Sequence, residues 1–174
     1  MALDRGYLQV YTGDGKGKTT AALGLALRAA GAGLRVFIAQ FAKATPTSEL
    51  VSLQRLAPQV EVRRFGTGRF INGSPTGEDI AAAREGIAAA RQAVLSGEWD
   101  VLILDEANIA TWLGLFSVDE LLALVDLAAG RMEIVVTGRR ADPRLLERAD
   151  LVTEMTEVRH YFSRGVSRRT GIED

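Results

Sequence analysis

The segment of residues 12–20 constrains the fold of this chain more than any other feature of its sequence. It lies between an apolar, β-rich run at residues 7–11 and an alanine- and leucine-rich run that extends to residue 30. Its residues are Thr12, Gly13, Asp14, Gly15, Lys16, Gly17, Lys18, Thr19 and Thr20. A glycine-rich turn that joins a strand to a helix is typical of a phosphate-binding loop, because its backbone N–H groups can turn towards phosphate oxygens.

The spacing of this segment approximates the P-loop consensus Gly-x-x-x-x-Gly-Lys-Ser/Thr. Gly17, Lys18 and Thr19 fit the consensus, whereas its first glycine falls on Thr12 and Gly13 lies one residue late. We expect residues 12–20 to bind nucleotide phosphates, with Lys18 reaching the terminal phosphates and the Thr19 hydroxyl reaching Mg²⁺. The alternative is a glycine-rich turn whose lysines are incidental.

Segments with strand patterns alternate with segments with helix patterns along the chain. The predicted strands are residues 7–11, 36–41, 60–65, 100–106, 133–139 and 151–153. The alternation predicts an α/β fold: a single P-loop NTPase-like domain over residues 1–174, with a mostly parallel sheet and helices on both faces. The connection of residues 66–78 is long for such a domain, and loops of that length are often functional.

Capping signals mark several helix starts. Thr76 with Asp79, and Ser117 with Glu120, have the spacing of a capping box. Pro143 suits the first position of a short helix. Another short helix is expected to open at residues 46–49.

The helix after the P-loop is predicted over residues 18–30. Leu23, Leu27 and Ala30 lie at i, i+4 and i+7, which places them on one helical face. Gly31 is the expected C-cap of this helix.

Composition narrows the functional classes. The formal net charge is −1, with 21 basic and 22 acidic residues, so we expect no nucleic-acid or membrane partner. The absence of cysteine excludes disulfides and thiolate sites, and the single histidine, His160, argues against a catalytic triad or a multi-histidine metal site. No uncharged apolar run reaches the roughly 18 residues of a membrane span, and the first residues lack the apolar core of a signal peptide. We therefore expect a cytoplasmic location.

A second signal is the apolar run of residues 101–104 that ends in Asp105 and Glu106. P-loop proteins hold Mg²⁺ with an acid at the end of such a strand, and open parallel sheets bind ligands at the carboxyl ends of their strands. Asp105 and Glu106 are therefore candidate metal ligands, and the sequence does not decide between them. The alternative is a loop that merely starts with carboxylates.

Other candidates carry weaker signals. Arg139 follows an apolar strand and either pairs with phosphate or is a surface arginine in a turn. Phe70 and Ile71 lie among glycines in the long connection, where an apolar side chain either anchors the loop or contacts a ligand. A lone histidine such as His160 is more often structural than catalytic.

Taken together, the motifs resemble those of the P-loop type of ATP:corrinoid adenosyltransferases, over nearly the whole chain. In that family a threonine stands where the consensus P-loop has its first glycine, as Thr12 does here. The segments that carry the resemblance are residues 12–22, Gln40-Phe41-Ala42-Lys43, Leu104-Asp105-Glu106, Thr137-Gly138-Arg139, residues 149–155, His160 and Gly171-Ile172-Glu173.

The resemblance implies an enzyme that moves the 5′-deoxyadenosyl group of ATP onto the cobalt of a reduced corrinoid and releases inorganic triphosphate, in cobalamin biosynthesis or salvage. It implies ATP as co-substrate, Mg²⁺ or Mn²⁺ as the metal, a reduced flavoprotein as electron donor, and a homodimer. Lys18, Phe70 and Arg139 are the expected catalytic residues, and Thr19, Asp105 and Glu106 the expected metal ligands.

One loop departs from the family pattern. Many members carry Gly-Phe-Thr-Trp after the third strand, with aromatics that pack on the corrin face and displace the lower axial ligand. This chain has Gly68-Arg69-Phe70-Ile71, which contains no tryptophan. Its phenylalanine, Phe70, lies one residue later than the phenylalanine of the family pattern. The corrin-facing role is assigned to Phe70.

Two other functions share the same loop and acid. One is a phosphoryl-transfer enzyme or ATPase that cuts ATP at the γ-phosphate. The other is a regulatory domain that binds nucleotide without turnover. The position of Thr12 and the segments at residues 40–43 and 149–155 favour the adenosyltransferase.

Overall fold

The computed structural model describes residues 3–42 and 47–173. The strands within these ranges are β1 (Leu8–Thr12), β2 (Val36–Phe41), β3 (Val60–Phe65), β4 (Val101–Asp105), β5 (Glu133–Thr137) and β6 (Leu151–Glu154). The helices are α1 (Lys18–Gly31), α2 (Glu49–Gln54), α3 (Gly77–Ser96), α4 (Ala107–Trp112), α5 (Val118–Ala128) and α6 (Pro143–Arg148), and a 3₁₀ turn spans Tyr161–Arg164.

The strands form one six-stranded sheet in the order β3-β2-β4-β5-β1-β6. Every pair is parallel, so the predicted mostly parallel sheet is confirmed and is wholly parallel over the described residues. All residues of β2 and β4 are buried, as expected for central strands covered on both faces. Parallel pairing brings the carboxyl ends of all six strands to one edge of the sheet.

Helices cover both faces of the sheet, as predicted. On one face, α1 and α2 pack over a core that includes Ala22, Ala26, Ile38 and Leu53. The other face carries α3, α4, α5 and α6 over a larger core. No helix among the described residues has the length and apolar character that crossing a bilayer requires.

Both predicted capping boxes are present. The Thr76 hydroxyl accepts from the backbone N–H of Asp79, and the Ser117 hydroxyl accepts from that of Glu120. In each case the acidic side chain accepts in return from the backbone N–H of its cap residue. Pro143 occupies the first turn of α6, as predicted.

The first helix differs from the prediction in two respects. Gly31 is its last helical residue, and the cap is Ala32, followed by Gly33 with a positive φ of 84°. Leu27 is 60% exposed, whereas Ala22 and Ala26 are fully buried. The small alanine side chains let α1 lie close to the sheet. The spacing of the leucines therefore predicted the wrong buried face for this helix.

Two elements at the carboxyl edge were not predicted. Helix α4 begins directly after β4, where the sequence analysis continues the strand to Glu106. The 3₁₀ turn at Tyr161–Arg164 lies in the C-terminal segment. Lys43 and Pro46, which the sequence analysis places in a motif and at the start of α2, lie outside the described residues.

Candidate active site

A cleft of about 730 Å³ opens at the carboxyl edge of the sheet. Its floor is the P-loop and the first turn of α1, and its walls come from the start of α2, the turns after β4 and β5, and the C-terminal segment. The lining residues are Asp14, Gly15, Lys16, Gly17, Lys18, Thr19, Thr20, Leu23, Thr47, Ser48, Glu49, Ser52, Glu106, Arg139, Glu157, His160, Gly171, Ile172 and Glu173. This volume is typical of a small-molecule or nucleotide site.

The position of the loop explains why its first glycine is shifted. Thr12 is still the last residue of β1, and its carbonyl accepts from the backbone N–H of Met155 at 2.9 Å. The turn begins at Gly13, whose φ is +92° and where a Cβ would lie 2.5 Å from the Met155 carbonyl oxygen. Only glycine fits both constraints. Thr12 and Gly13 therefore support the loop through their contacts with Met155, and neither residue lines the cleft.

Lys18 is 6% exposed and curls back over its own loop. Its Nζ donates to the carbonyl oxygens of Gly13 at 2.7 Å and Gly15 at 2.6 Å. Burial lowers the pKa of its ammonium group, an effect that the Glu106 carboxylate opposes. The ammonium group is thus held at the floor of the cleft.

A buried hydrogen-bond network surrounds Asp105, which is fully buried at the end of β4. Its Oδ1 accepts from the hydroxyls of Thr19 at 2.9 Å and Thr137 at 2.7 Å. Its Oδ2 accepts from Gln40 Nε2 at 3.2 Å. Four elements, α1, β2, β4 and β5, are thereby joined through one carboxylate.

Glu106 differs from Asp105 in both backbone and exposure. It has a left-handed φ of 61°, its N–H donates to Thr137 Oγ1 at 3.0 Å, and it lines the cleft. Ala42 and Arg140, with φ of 51° and 58°, follow β2 and β5 at the same edge. Left-handed non-glycine residues are costly and concentrate at functional sites.

Arg139 also lines the cleft, in the turn after β5. The preceding Gly138 has φ of +128°, and a Cβ there would lie 3.1 Å from both the Asn108 Cβ and the Ile109 nitrogen. Asn108, which is fully buried on α4, donates to the Gly138 carbonyl at 3.1 Å. Helix α4 therefore fixes the turn that carries Arg139.

The C-terminal segment closes one side of the cleft. Lys16 Nζ donates to the Ile172 carbonyl at 2.9 Å, which ties the P-loop to this segment. Glu173 accepts from Arg169 Nη2 at 3.0 Å and from the Tyr161 hydroxyl, and these bonds lower its carboxyl pKa to about 2. His160 Nδ1 accepts from the Phe162 N–H at 3.1 Å, so this histidine caps the 3₁₀ turn as well as lining the cleft.

Phe70 lies outside the cleft. Its side chain is 76% exposed in the connection between β3 and α3, whereas Ile71 packs against the core. Of the expected catalytic residues, the structure thus brings Lys18 and Arg139 together and leaves Phe70 apart.

Several residues that build the site carry no sequence signal of their own. Asn108 sits in the unpredicted helix α4, and Glu157 reaches the cleft only because the C-terminal segment folds back. The residues of α2 that line the cleft are also ordinary polar side chains. Only a three-dimensional arrangement identifies them.

Comparison with known proteins identifies relatives over nearly the whole chain. The family model of ATP:corrinoid adenosyltransferase BtuR/CobO/CobP matches residues 4–173. The chain is 36% identical over 171 residues to a corrinoid adenosyltransferase of Pseudomonas aeruginosa, covering 98% of this chain and 84% of the relative. It is 34% identical to a corrinoid adenosyltransferase of Escherichia coli and 32% identical to corrinoid adenosyltransferase CobA of Salmonella typhimurium, each covering 98% of this chain and 86% of the relative. The chain therefore belongs to the ATP:corrinoid adenosyltransferase family.

Proposed function

We propose that this protein transfers the 5′-deoxyadenosyl group of ATP to the cobalt of a reduced corrinoid and releases inorganic triphosphate. The observation that carries the proposal is the cleft itself, in a chain of this family. Its floor holds the buried ammonium of Lys18, and its sides carry Arg139 and Glu106. The two cations suit a polyphosphate, and the carboxylate suits a metal cation bound to it.

Lys18 and Arg139 are the cations that would neutralise the triphosphate. The N-terminus of α1 adds backbone N–H groups with partial positive charge at the same place. Charge on the leaving group grows as its bond to carbon breaks, so fixed positive groups stabilise the transition state more than the ground state. The loop residues 14–20 would hold the phosphates in the orientation that this requires.

The donor set fits a hard divalent cation, Mg²⁺ or Mn²⁺. Thr19 and Glu106 present oxygen atoms at the cleft, and magnesium sites often use one or two protein oxygens together with substrate phosphates. Among the described residues no group of three or more histidine, cysteine or acidic side chains is placed to hold a metal ion. Substrate phosphate oxygens would complete the coordination shell. When bound, the cation would supply further charge neutralisation of the triphosphate.

The different burial of Asp105 and Glu106 supports different roles for the two acids. We assign direct contact with the cation to Glu106, because it lines the cleft. Asp105 is fully buried and accepts a hydrogen bond from the Thr19 hydroxyl, so the lone pairs of that hydroxyl point away from Asp105. Asp105 would therefore act through Thr19, with Thr137 and Gln40 holding it.

The reaction needs little proton chemistry from the protein. The electron pair of the reduced cobalt attacks the ribose 5′ carbon, the C5′–O bond breaks, and its electrons leave on the triphosphate. No proton is removed from the nucleophile, so no general base is required. His160 accordingly serves as a capping and lining residue. Positioning and charge stabilisation account for the catalysis.

The remaining assignments come from the family resemblance. Phe70 would pack on the corrin face and promote loss of the lower axial ligand, and its 76% exposure leaves it accessible to a corrinoid. Residues 1–174 would form one domain, act in the cytoplasm as a homodimer, and receive electrons through a reduced flavoprotein. Light scattering on the purified protein tests the dimer.

Product analysis tests the proposed reaction. The protein is incubated anaerobically with ATP and Mg²⁺, with and without chemically reduced cob(I)alamin. We expect inorganic triphosphate only when corrinoid is present, together with the light-sensitive spectrum of adenosylcobalamin. ADP and phosphate formed without corrinoid would instead indicate an ATPase or a phosphoryl-transfer enzyme.

A further inference from the structure

The connection between β3 and α3, residues 66–76, holds an exposed aromatic between two anchored neighbours. Phe70 is 76% exposed. Arg69 on one side forms an ion pair with Asp79 of α3, and Ile71 on the other packs against the core. An apolar side chain on a loop that its anchored neighbours fix in place is available for contact with a ligand.

Asp79 is the anchor of this connection. Its side chain is only 2% exposed, and a buried carboxylate requires hydrogen-bond donors to offset its lost hydration. Thr67 Oγ1 donates to Oδ1 at 2.6 Å, the Thr76 N–H donates to Oδ2 at 2.8 Å, and Arg69 Nη2 also donates to Oδ2. Led by the Thr67 bond, these interactions hold the pKa of the Asp79 carboxyl well below its usual range.

The Thr76 hydroxyl joins the ion pair to the cap of α3. It donates to Asp79 Oδ2 at 2.7 Å, and it accepts from the Asp79 N–H at 3.4 Å and from Arg69 Nη2 at 2.9 Å. Its one proton and both of its lone pairs are therefore used. The planar, multiply donating guanidinium of Arg69 reaches both residues, which an ammonium group cannot reproduce.

The donors come from two sources, and this separation can be tested. Thr76 is the last residue of the connection and the N-cap of α3, so its bonds to Asp79 do not depend on where residues 66–75 lie. The Thr67 and Arg69 bonds come from the connection, so displacing it would strip the buried Asp79 of a charged partner.

We propose that the Arg69–Asp79 ion pair is a latch that fixes residues 66–76 and presents Phe70 to the corrinoid. Arg69 and Asp79 are then positioning residues, and the latch rests on the proposed contact between Phe70 and the corrinoid. A side chain that is already in place spares the corrinoid the entropic cost of ordering it. Arg69, which stands where many family members have a phenylalanine, would thus serve to position the neighbouring Phe70.

Arg69→Met tests the latch because it removes the guanidinium while leaving Thr76 and Asp79 to cap α3. We expect faster amide hydrogen exchange across residues 66–76 and a rise in the corrinoid KM of about tenfold, the size of losing one hydrogen-bonded charge. The KM for ATP should stay unchanged, and Arg69→Lys should restore only part of the loss. Arg148→Met, which breaks an exposed ion pair with Asp126 elsewhere, is the matched control and should change none of these quantities.

The variant Phe70→Ala separates failure of the latch from failure of the proposed contact. If Arg69 acts through Phe70, adding Arg69→Met to Phe70→Ala raises the corrinoid KM no further. A full additional effect in the double variant would overturn the latch, as would unchanged exchange in Arg69→Met. If Phe70→Ala alone leaves the corrinoid kinetics unchanged, the proposed contact fails, and the latch as a device for presenting Phe70 fails with it. Unchanged corrinoid kinetics together with faster exchange in Arg69→Met would then show a purely structural ion pair.

Discussion

Replacing Thr137 by valine removes one hydroxyl from the centre of the proposed site while nearly preserving the shape of the side chain. Thr137 is fully buried, donates to Asp105 Oδ1 at 2.7 Å and accepts from the Glu106 N–H at 3.0 Å. The variant therefore deprives a buried carboxylate of one donor and a backbone N–H of its acceptor.

The structure sets the size of the expected effect. A hydrogen bond to a charged group contributes about 1.5–3 kcal/mol, and an unsatisfied buried N–H costs about 1–3 kcal/mol. Asp105 keeps its bonds from Thr19 and Gln40, and the Glu106 N–H is only partly buried, so we take the lower part of both ranges. The free energy of unfolding should fall by about 3 kcal/mol, which for a chain of this length lowers Tm by about 6–12 °C.

Activity should fall as well, because Asp105 orients the Thr19 hydroxyl. Loss of such an outer partner commonly lowers metal affinity or activity about 10- to 100-fold. Calorimetry gives the Tm, and initial rates at varied Mg²⁺ give the apparent metal affinity. Thr137→Ser keeps the hydroxyl and is the matched control. If the valine and serine variants have the same Tm and the same Mg²⁺ dependence, the Thr137 hydroxyl does not hold the Asp105 network.

Three further predictions concern the loop, the corrinoid contact and the C-terminal segment. Lys18→Ala should weaken ATP binding about tenfold to a hundredfold and nearly abolish turnover, and unchanged turnover would remove Lys18 from the phosphate site. Phe70→Ala should slow reaction with enzymatically reduced cob(II)alamin more than with chemically supplied cob(I)alamin, and equal slowing would exclude Phe70 from axial-ligand displacement. The carboxyl pKa of Glu173 is lowered from 4.5 to about 2, mainly by Arg169. The ionised carboxylate therefore stabilises the folded protein fully above pH 4.5, and this contribution is lost as the pH falls towards 2. The Tm difference between the parent protein and Glu173→Gln should therefore shrink between pH 5 and pH 3, and a constant difference would contradict this assignment.

Much of the fold follows from local sequence patterns. Apolar runs with strand character predict β2 and β3 at their observed bounds, and the Thr76 and Ser117 capping boxes predict the starts of α3 and α5. These features depend on neighbouring residues alone, so a single sequence carries the information. The strand order depends on which strands pair, and no local pattern specifies it.

The features that sequence patterns missed depend on tertiary contacts. Leu27 has the right spacing for a buried face, yet the sheet accepts the alanine face of α1 because the helix can approach more closely there. Helix α4 follows a left-handed N-cap residue, Glu106, and no residue type in the segment signals that conformation. The role of Asn108 becomes visible only when Gly138 is placed beside it.

In the candidate site, too, some residues could be predicted from local sequence and others could not. Lys18, Thr19 and Arg139 were predicted because glycine-rich loops and strand ends have recognisable sequences, and the structure brings them into one cleft. The different placements of Asp105 and Glu106 were not predictable, because burial and backbone conformation distinguish them and residue type does not.

The central claim is that the C5′–O bond of ATP breaks, and an oxygen label tests it most directly. ATP is prepared with ¹⁸O in the bridge between C5′ and the α-phosphorus, and the products with cob(I)alamin are analysed by mass spectrometry. Attack by cobalt on the 5′ carbon leaves the label in inorganic triphosphate and none in the adenosylated corrinoid. Recovery of the label in ADP or AMP would show cleavage within the phosphate chain and would contradict the proposed reaction.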